Sequence, residues 1–272
     1  MEGRPYRFSL FTKHWNMLSA ELGTFVAALG FDGVELPVRP GFEVTPENVR
    51  ERLPRAAKEL ARHGLTVFSI AGPADEAAIE ACGEAGIPLI RVMVQIPEGA
   101  GYLETVDATR REYERLTPLL EKHGVAIGVQ NHCGRFVANA GELRHVLAGF
   151  DPRHVCAVWD AAHEAIAGTG QPEFAIEMLE PWLRMVNLKN AFWKRATGPE
   201  SEDVEWVSYW TSGRQGMASW PRVARELRCR KWRGIVCLTA EYDDQVSLER
   251  LVKEDFAYAR RLFEPECSGH ED

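Results

Sequence analysis

Asp160 closes the apolar run that begins at Val155, and His163 follows three positions later. Three other runs end in the same manner. Gln130, Asn131 and His132 terminate the stretch from Val125, Asn187 to Asn190 close the one from Arg184, and Glu241 follows Gly234 to Ala240. A carboxylate at the edge of a buried strand is costly unless it is paired or put to use. Gathered at one rim, these side chains could do acid–base chemistry on a carbonyl compound. Glu241 would take a proton from the carbon beside the carbonyl, with His163 and Lys189 as acid or electrostatic partners of the enediolate oxygen. Asp160 and Glu241 with the amide oxygens of Gln130 and Asn187 form an all-oxygen set, suited to Mg²⁺, Mn²⁺ or Ca²⁺ rather than zinc. An amide cannot serve as a general base, so Gln130 can hold but not deprotonate.

Each of these residues has a plainer reading. Asp160 could cap the next helix, Glu241 and Lys189 could be an ion pair, and Gln130 and Asn187 could satisfy backbone groups. Asn131, His132, Trp15 and Trp193 are candidates for substrate contact, Trp15 being equally suited to packing. Glu35 reads as a structural carboxylate. His63 and His123 precede glycines at helix ends and read as structural.

The elements that must carry these side chains follow a repeated grammar. Leu60-Ala-Arg-His-Gly64 leads into Leu65–Ile70, and Leu120-Glu-Lys-His-Gly124 leads into Val125–Val129: a helix closes on basic residues and a glycine, then a β-rich strand begins. Extended along the chain, this predicts strands near 6–11, 33–36, 65–70, 89–94, 125–130, 155–160, 184–189 and 234–241. Helices lie between them, the first two near 17–29 and 48–62. Eight alternating units predict an α/β fold, a (β/α)8 barrel in a single domain spanning 1–272. A doubly wound open sheet is the competitor, but no G-x-G-x-x-G follows the first strand. Residues 191–216 are the longest irregular stretch; their tryptophans and tyrosine predict an ordered lid or an oligomer interface.

On these motifs the chain resembles the xylose isomerase-like TIM barrels, often described as sugar phosphate isomerases or epimerases. The resemblance runs from Phe31-Asp-Gly-Val-Glu35 to Glu241-Tyr-Asp-Asp244. It implies a Glu-Asn-His motif after strand five, Asp-x-x-His after strand six, His-x-Lys-Asp at strand seven and a Glu ending strand eight. It also implies a divalent cation (Mn, Mg or Co) gripping a sugar or polyol between two proton-moving glutamates. Asn131, His132, Asp160, His163, Lys189 and Glu241 match. Gln130, Asn187 and Asn190 replace the usual Glu, His and Asp. The charge of the implied ligand set falls from −3 to −2, so a bound cation and a metal-free site both stand as expectations, and no organic cofactor is expected. With one base missing, isomerisation, dehydration or elimination fits better than two-base epimerisation. The alternative is a catalytically inactive carbohydrate-binding or regulatory barrel. A DNA-repair endonuclease, which the same barrel also serves, needs more metal ligands and a basic face.

Composition narrows the partners. With 32 Lys and Arg against 40 Asp and Glu, the net charge is −8, which disfavours nucleic acid. No run reaches the roughly 20 apolar residues of a membrane span. Met1 to Arg7 has no apolar signal region, so the expectation is a cytoplasmic enzyme acting on a small sugar or polyol, as a homodimer or homotetramer. The six cysteines form no C-x-x-C pair; Cys82, Cys156 and Cys237 are expected to be buried thiols.

Overall fold

The computed structural model describes residues 5–264. Expectations about the first four residues and Cys267 lie outside them. In chain order the elements are β1 Tyr6–Phe11, α1 Ser19–Leu29, β2 Gly33–Pro37, α2 Val49–Arg62, β3 Thr66–Ala71, α3 Glu76–Ala85, β4 Leu89–Met93 and α4 Tyr102–His123. They continue with β5 Ala126–Gln130, α5 Ala140–Leu147, β6 Val155–Asp160, α6 Ala161–Ala167, α7 Pro172–Leu179 and β7 Leu183–Leu188. The chain finishes through β8 Asn190–Arg195, β9 Trp206–Thr211, α8 Trp220–Cys229, β10 Gly234–Leu238 and α9 Leu248–Phe263. Strands β1 to β7 and β10 pair in parallel and close on one another, β10 lying between β1 and β7. This is the (β/α)8 barrel expected from the alternation of elements, and the open sheet is excluded.

Strand alternation sorts the side chains into two layers. One set packs outward against the helices, where Leu10, Val34, Ile70, Ile90, Val129, Val186 and Val236 belong to the main core. The other set points down the barrel axis, where Leu89, Ala126, Cys156, Val158, Met185, Ile235 and Cys237 form a second cluster. At Gly128 a Cβ would lie 2.7 Å from Val158 and 2.9 Å from Leu89, so only glycine fits that inward step. Two-residue steps up the same strands reach Arg91, Gln130, Asp160, Asn187 and Lys189. The barrel interior is therefore apolar at its floor and polar at the C-terminal mouth, the end where such barrels place their chemistry.

The stretch 191–216, expected to be irregular, is largely a hairpin. β8 and β9 pair antiparallel, with Phe192 opposite Tyr209, Trp193 opposite Ser208 and Arg195 opposite Trp206. The aromatic and β-branched residues that read as an ordered loop instead make cross-strand pairs. The eighth barrel strand is shorter than expected and ends at Leu238. Ala240 then adopts φ 51°, a left-handed conformation in which a side-chain-bearing residue is uncommon. Cys82, Cys156 and Cys237 are buried free thiols. Among the described residues no helix is long and apolar enough to cross a membrane.

Candidate functional site at the barrel mouth

Asp160 is both the last residue of β6 and the N-cap of α6. Its Oδ1 accepts from the backbone N–H groups of Ala162 and His163, each at 3.0 Å. That is the capping role, and it leaves Oδ2 facing the barrel axis, where Gln130 Nε2 donates to it at 3.0 Å. Asn131 fastens the same corner: its Oδ1 accepts from the Asp160 N–H at 2.7 Å and its Nδ2 donates to the Asp160 carbonyl at 3.1 Å. Asn131 is thus a clamp between β5 and β6.

Lys189 lies just past β7 with its side chain almost wholly enclosed. Its Nζ is 3.0 Å from Glu241 Oε2, 2.7 Å from His163 Nε2 and 3.8 Å from Asp160 Oδ2. Lys13, beyond β1, reaches the same Glu241 oxygen at 2.9 Å. Burial alone would raise the Glu241 carboxyl, but Lys189 and Lys13 outweigh it and hold it well below the usual range. Burial lowers Lys13, with the neighbouring Lys189 and Arg91 charges adding to it against the pull of Glu241. His163, buried and beside Lys189, is held far below the ordinary imidazole value and is neutral. Its Nδ1 accepts from the Cys133 N–H at 3.2 Å. His132 stacks at 4.0 Å between ring centroids on His163, and burial lowers it too.

A second cluster lies under the first. Arg91 Nε is 2.9 Å from both oxygens of Glu35, and Ser69 donates to Glu35 Oε1 at 2.9 Å. Burial opposes the Arg91 charge, yet Glu35 more than compensates, and its affinity for a proton rises. Arg91 also donates to Gln130 Oε1. One chain of contacts therefore runs from Glu35 through Arg91 and Gln130 to Asp160. Asn187, in register with Asp160 and Cys237, is fully buried, and neither its Oδ1 nor its Nδ2 has a partner among the described residues.

The hairpin covers this mouth. The Trp210 ring lies 4.2 Å from Lys189 Nζ and 5.1 Å from the His163 ring. Trp193, on the same face one step further out, is 44% exposed. Trp15 is not brought to the mouth: it is buried against Phe25 at 5.3 Å, beside α1. Arg91, Lys13 and Trp210 are not singled out by the sequence, although Arg91 in the middle of an apolar strand is a signal that a buried carboxylate must face it. Asn190, read as a replaced Asp, is structural. Its amide accepts from Ala191 and Ala218 and donates to Gly213 and Ala218, bracing the hairpin root.

The side chains present do not fit the divalent cation that the sequence motifs imply. Gln130 turns its N–H toward Asp160 and its oxygen toward Arg91, so it offers no lone pair to an ion at Asp160. One Glu241 oxygen, Oε2, is taken by two amino groups, and the Lys189 ammonium stands between Glu241 and Asp160, at 3.0 and 3.8 Å. Asn187 and the second Glu241 oxygen keep spare acceptors, but beside that fixed positive charge. One trio of softer groups, His132, Cys133 and His163, lies within 4.8 Å, but both nitrogens of His163 are already engaged.

A family model described as xylose isomerase-like TIM barrel matches residues 24–262. Among solved structures, a D-psicose 3-epimerase with D-fructose present superposes with a TM-score of 0.71 at 14% identity, covering 94% of this chain and 99% of that one. A 3-keto-D-glucoside 4-epimerase from E. coli gives 0.70 at 14% identity, with coverage of 94% and 99%. A probable 3-DHS dehydratase of petrobactin synthesis from Bacillus anthracis gives 0.69 at 15% identity, with coverage of 93% and 98%. At such identities the likeness speaks for the fold alone. No curated protein matches the chain.

Proposed function

The chain belongs to the xylose isomerase-like TIM barrel family, and from that premise we propose an isomerase- or epimerase-like enzyme that moves a proton beside the carbonyl of a small sugar or polyol derivative. The observation that supports this most is the convergence of Glu241, Lys189 and neutral His163 under the Trp210 ring. A carbonyl oxygen seated against Lys189 receives an N–H from it, so the negative charge that grows on enolisation meets a fixed donor. Glu241 is the proton acceptor. While both amino groups hold it, it is a weak base; a substrate that draws Lys189 onto its own oxygen strengthens it at the moment it is needed. With Nδ1 accepting from the Cys133 N–H, neutral His163 carries its proton on Nε2, beside Lys189, from where it can be given to a substrate oxygen. Asp160 and Gln130 hold hydroxyl groups, and Trp210 keeps water from the reacting atoms.

Gln130 cannot take a proton, so transfer is one-sided. That favours isomerisation, or loss of a β-hydroxyl as water, over epimerisation between two opposed bases. No step uses a metal. The test is exchange in D2O. Incubated with ketoses and followed by NMR, the protein should place deuterium on the carbon next to the carbonyl, and Glu241→Gln should abolish it. Exchange undiminished in that variant would remove Glu241 from the mechanism.

A second reading is a carbohydrate-binding barrel without turnover, and the double ion pair on Glu241 favours it. Saturable sugar binding by calorimetry, with no deuterium uptake from any ketose tried, would establish that reading instead.

A further inference from the structure

Three cationic groups surround one ring at the mouth. The Phe11 centroid lies 4.6 Å from Arg91 Cζ, 5.5 Å from Arg39 Cζ and 5.8 Å from Lys13 Nζ. Two of the three have an anion of their own: Arg91 holds Glu35 and Lys13 holds Glu241. Arg39 has none. Among the described residues its guanidinium makes no hydrogen bond and no ion pair, and it lies over the Phe11 ring. A half-buried cation beside two others, with no acceptor, is an unfavourable arrangement in the free protein. Burial and the Arg91 charge push Arg39 below its ordinary value, and Glu35 and Glu241 offset them only in part.

The backbone fixes where this side chain begins. Arg39 follows β2 by two residues, so a two-residue step from Glu35 through Pro37 keeps it on the inward side. Val38 donates to Ala71 at 2.9 Å and Arg39 donates to Val44 at 3.1 Å. Pro40 further restricts Arg39 to extended conformations. The side chain therefore leaves a fixed point of the backbone toward the mouth.

We propose that Arg39 forms a subsite for a single carboxylate on the substrate, which makes the substrate a sugar acid rather than a neutral sugar. A guanidinium offers two parallel N–H groups matched to the two oxygens of a carboxylate. One uncompensated cation calls for one negative charge, which a carboxylate brings, whereas a phosphate ester brings nearly two at neutral pH. A protein of net charge −8 repels anions at long range, so a local excess of positive charge at the mouth is what would admit one. This assignment rests on the mouth being the substrate site, as proposed above, and adds the chemical class of the ligand.

Calorimetric titration with D-gluconate, sorbitol and sorbitol 6-phosphate at low ionic strength tests it. In the unmodified protein gluconate should bind about tenfold or more tightly than sorbitol. Arg39→Gln should erase that ratio and Arg39→Lys keep part of it, with circular dichroism confirming that both variants are folded. Equal affinities for gluconate and sorbitol, no gluconate binding, or a ratio that survives Arg39→Gln each overturns the subsite. A preference confined to sorbitol 6-phosphate and dependent on Arg39 overturns the carboxylate assignment. The two proposals fail separately. Arg39-dependent gluconate binding with no deuterium exchange on any keto acid removes the enzyme reading alone. Exchange on neutral ketoses without an acid preference removes only the subsite.

Discussion

At Lys189 a single amino group touches a glutamate, a histidine and the edge of an aspartate, in a place almost closed to water. Lys189→Met keeps the bulk and removes the donor. Turnover in that variant should fall by about 10²–10³-fold, the usual cost of losing one fixed donor at a developing oxyanion, with kcat rather than KM carrying the loss. The ion pairs also leave a pH signature. The folded-state value of Glu241 is depressed, so its contribution to stability is complete above the ordinary glutamate value of 4.5. It is lost as pH falls below that value. Glu241→Gln should therefore flatten the acid limb of the melting-temperature profile. The mismatch with a divalent ion can be checked by restoring the missing ligands. Manganese should leave the melting temperature of the unmodified protein unchanged, whereas the Gln130→Glu and Asn187→His double variant should gain a manganese-dependent rise. A manganese shift in the unmodified chain would show that the amide at Gln130 turns to meet the ion.

Much of this residue-level picture was legible in the chain itself. Asp160, His163, Lys189 and Glu241 stood out because polar groups rarely end buried strands without reason, and the fold brings them together. Arg91, Lys13 and Arg39 did not stand out. Arg91 interrupts an otherwise apolar run, but its partner Glu35 lies 56 positions away. A pairing between strands two places apart in the barrel leaves no local spacing to read. Trp210 was hidden for another reason: its use depends on which face of a hairpin meets the barrel, and that is decided by pairing register.

Among the elements, the barrel strands were read within a residue or two at most ends, helped by the helix-closing glycines that precede β2 to β5. The hairpin of β8 and β9 was not recognised, since aromatic residues separated by a long polar connection suit a loop as well as a strand pair. Its anchoring is electrostatic as well as packed. Asp255 on α9 accepts from the Gly213 N–H at 2.9 and 3.0 Å and from the Tyr242 hydroxyl at 2.9 Å. Burial, only partly offset by those hydrogen bonds, raises its carboxyl from 3.8 to about 6. A raised carboxylate value means that the folded state prefers the proton. Stability contributed by this group is present at low pH and lost as pH rises through about 6. Asp255→Asn should remove that slope between pH 4 and 6 in denaturant titrations. Trp210→Ala, which uncovers Lys189, should slow turnover and speed amide exchange at His163, readable by hydrogen exchange.

For the molecule as a whole, the vertical division of the barrel interior matters most. The floor, with Leu89, Ala126, Cys156 and Met185, excludes water and provides stability, while the top provides chemistry. Leu89→Ala should cost about 2–5 kcal/mol by denaturant unfolding, and a loss under 1 kcal/mol would show that the floor collapses to fill the space. The cover has a different limit. β7 runs through Lys189 directly into β8, so the strand that presents the amino group also forms one side of the roof, and Asn190 ties that junction to Gly213 and Ala218. A flap anchored so firmly at its root cannot swing up as a rigid door. Opening must begin at the outer tip, near 196–205, and travel inward by peeling. The width of the entrance is then set by how far the tip frays, so compact ligands should enter quickly while long chains are turned away.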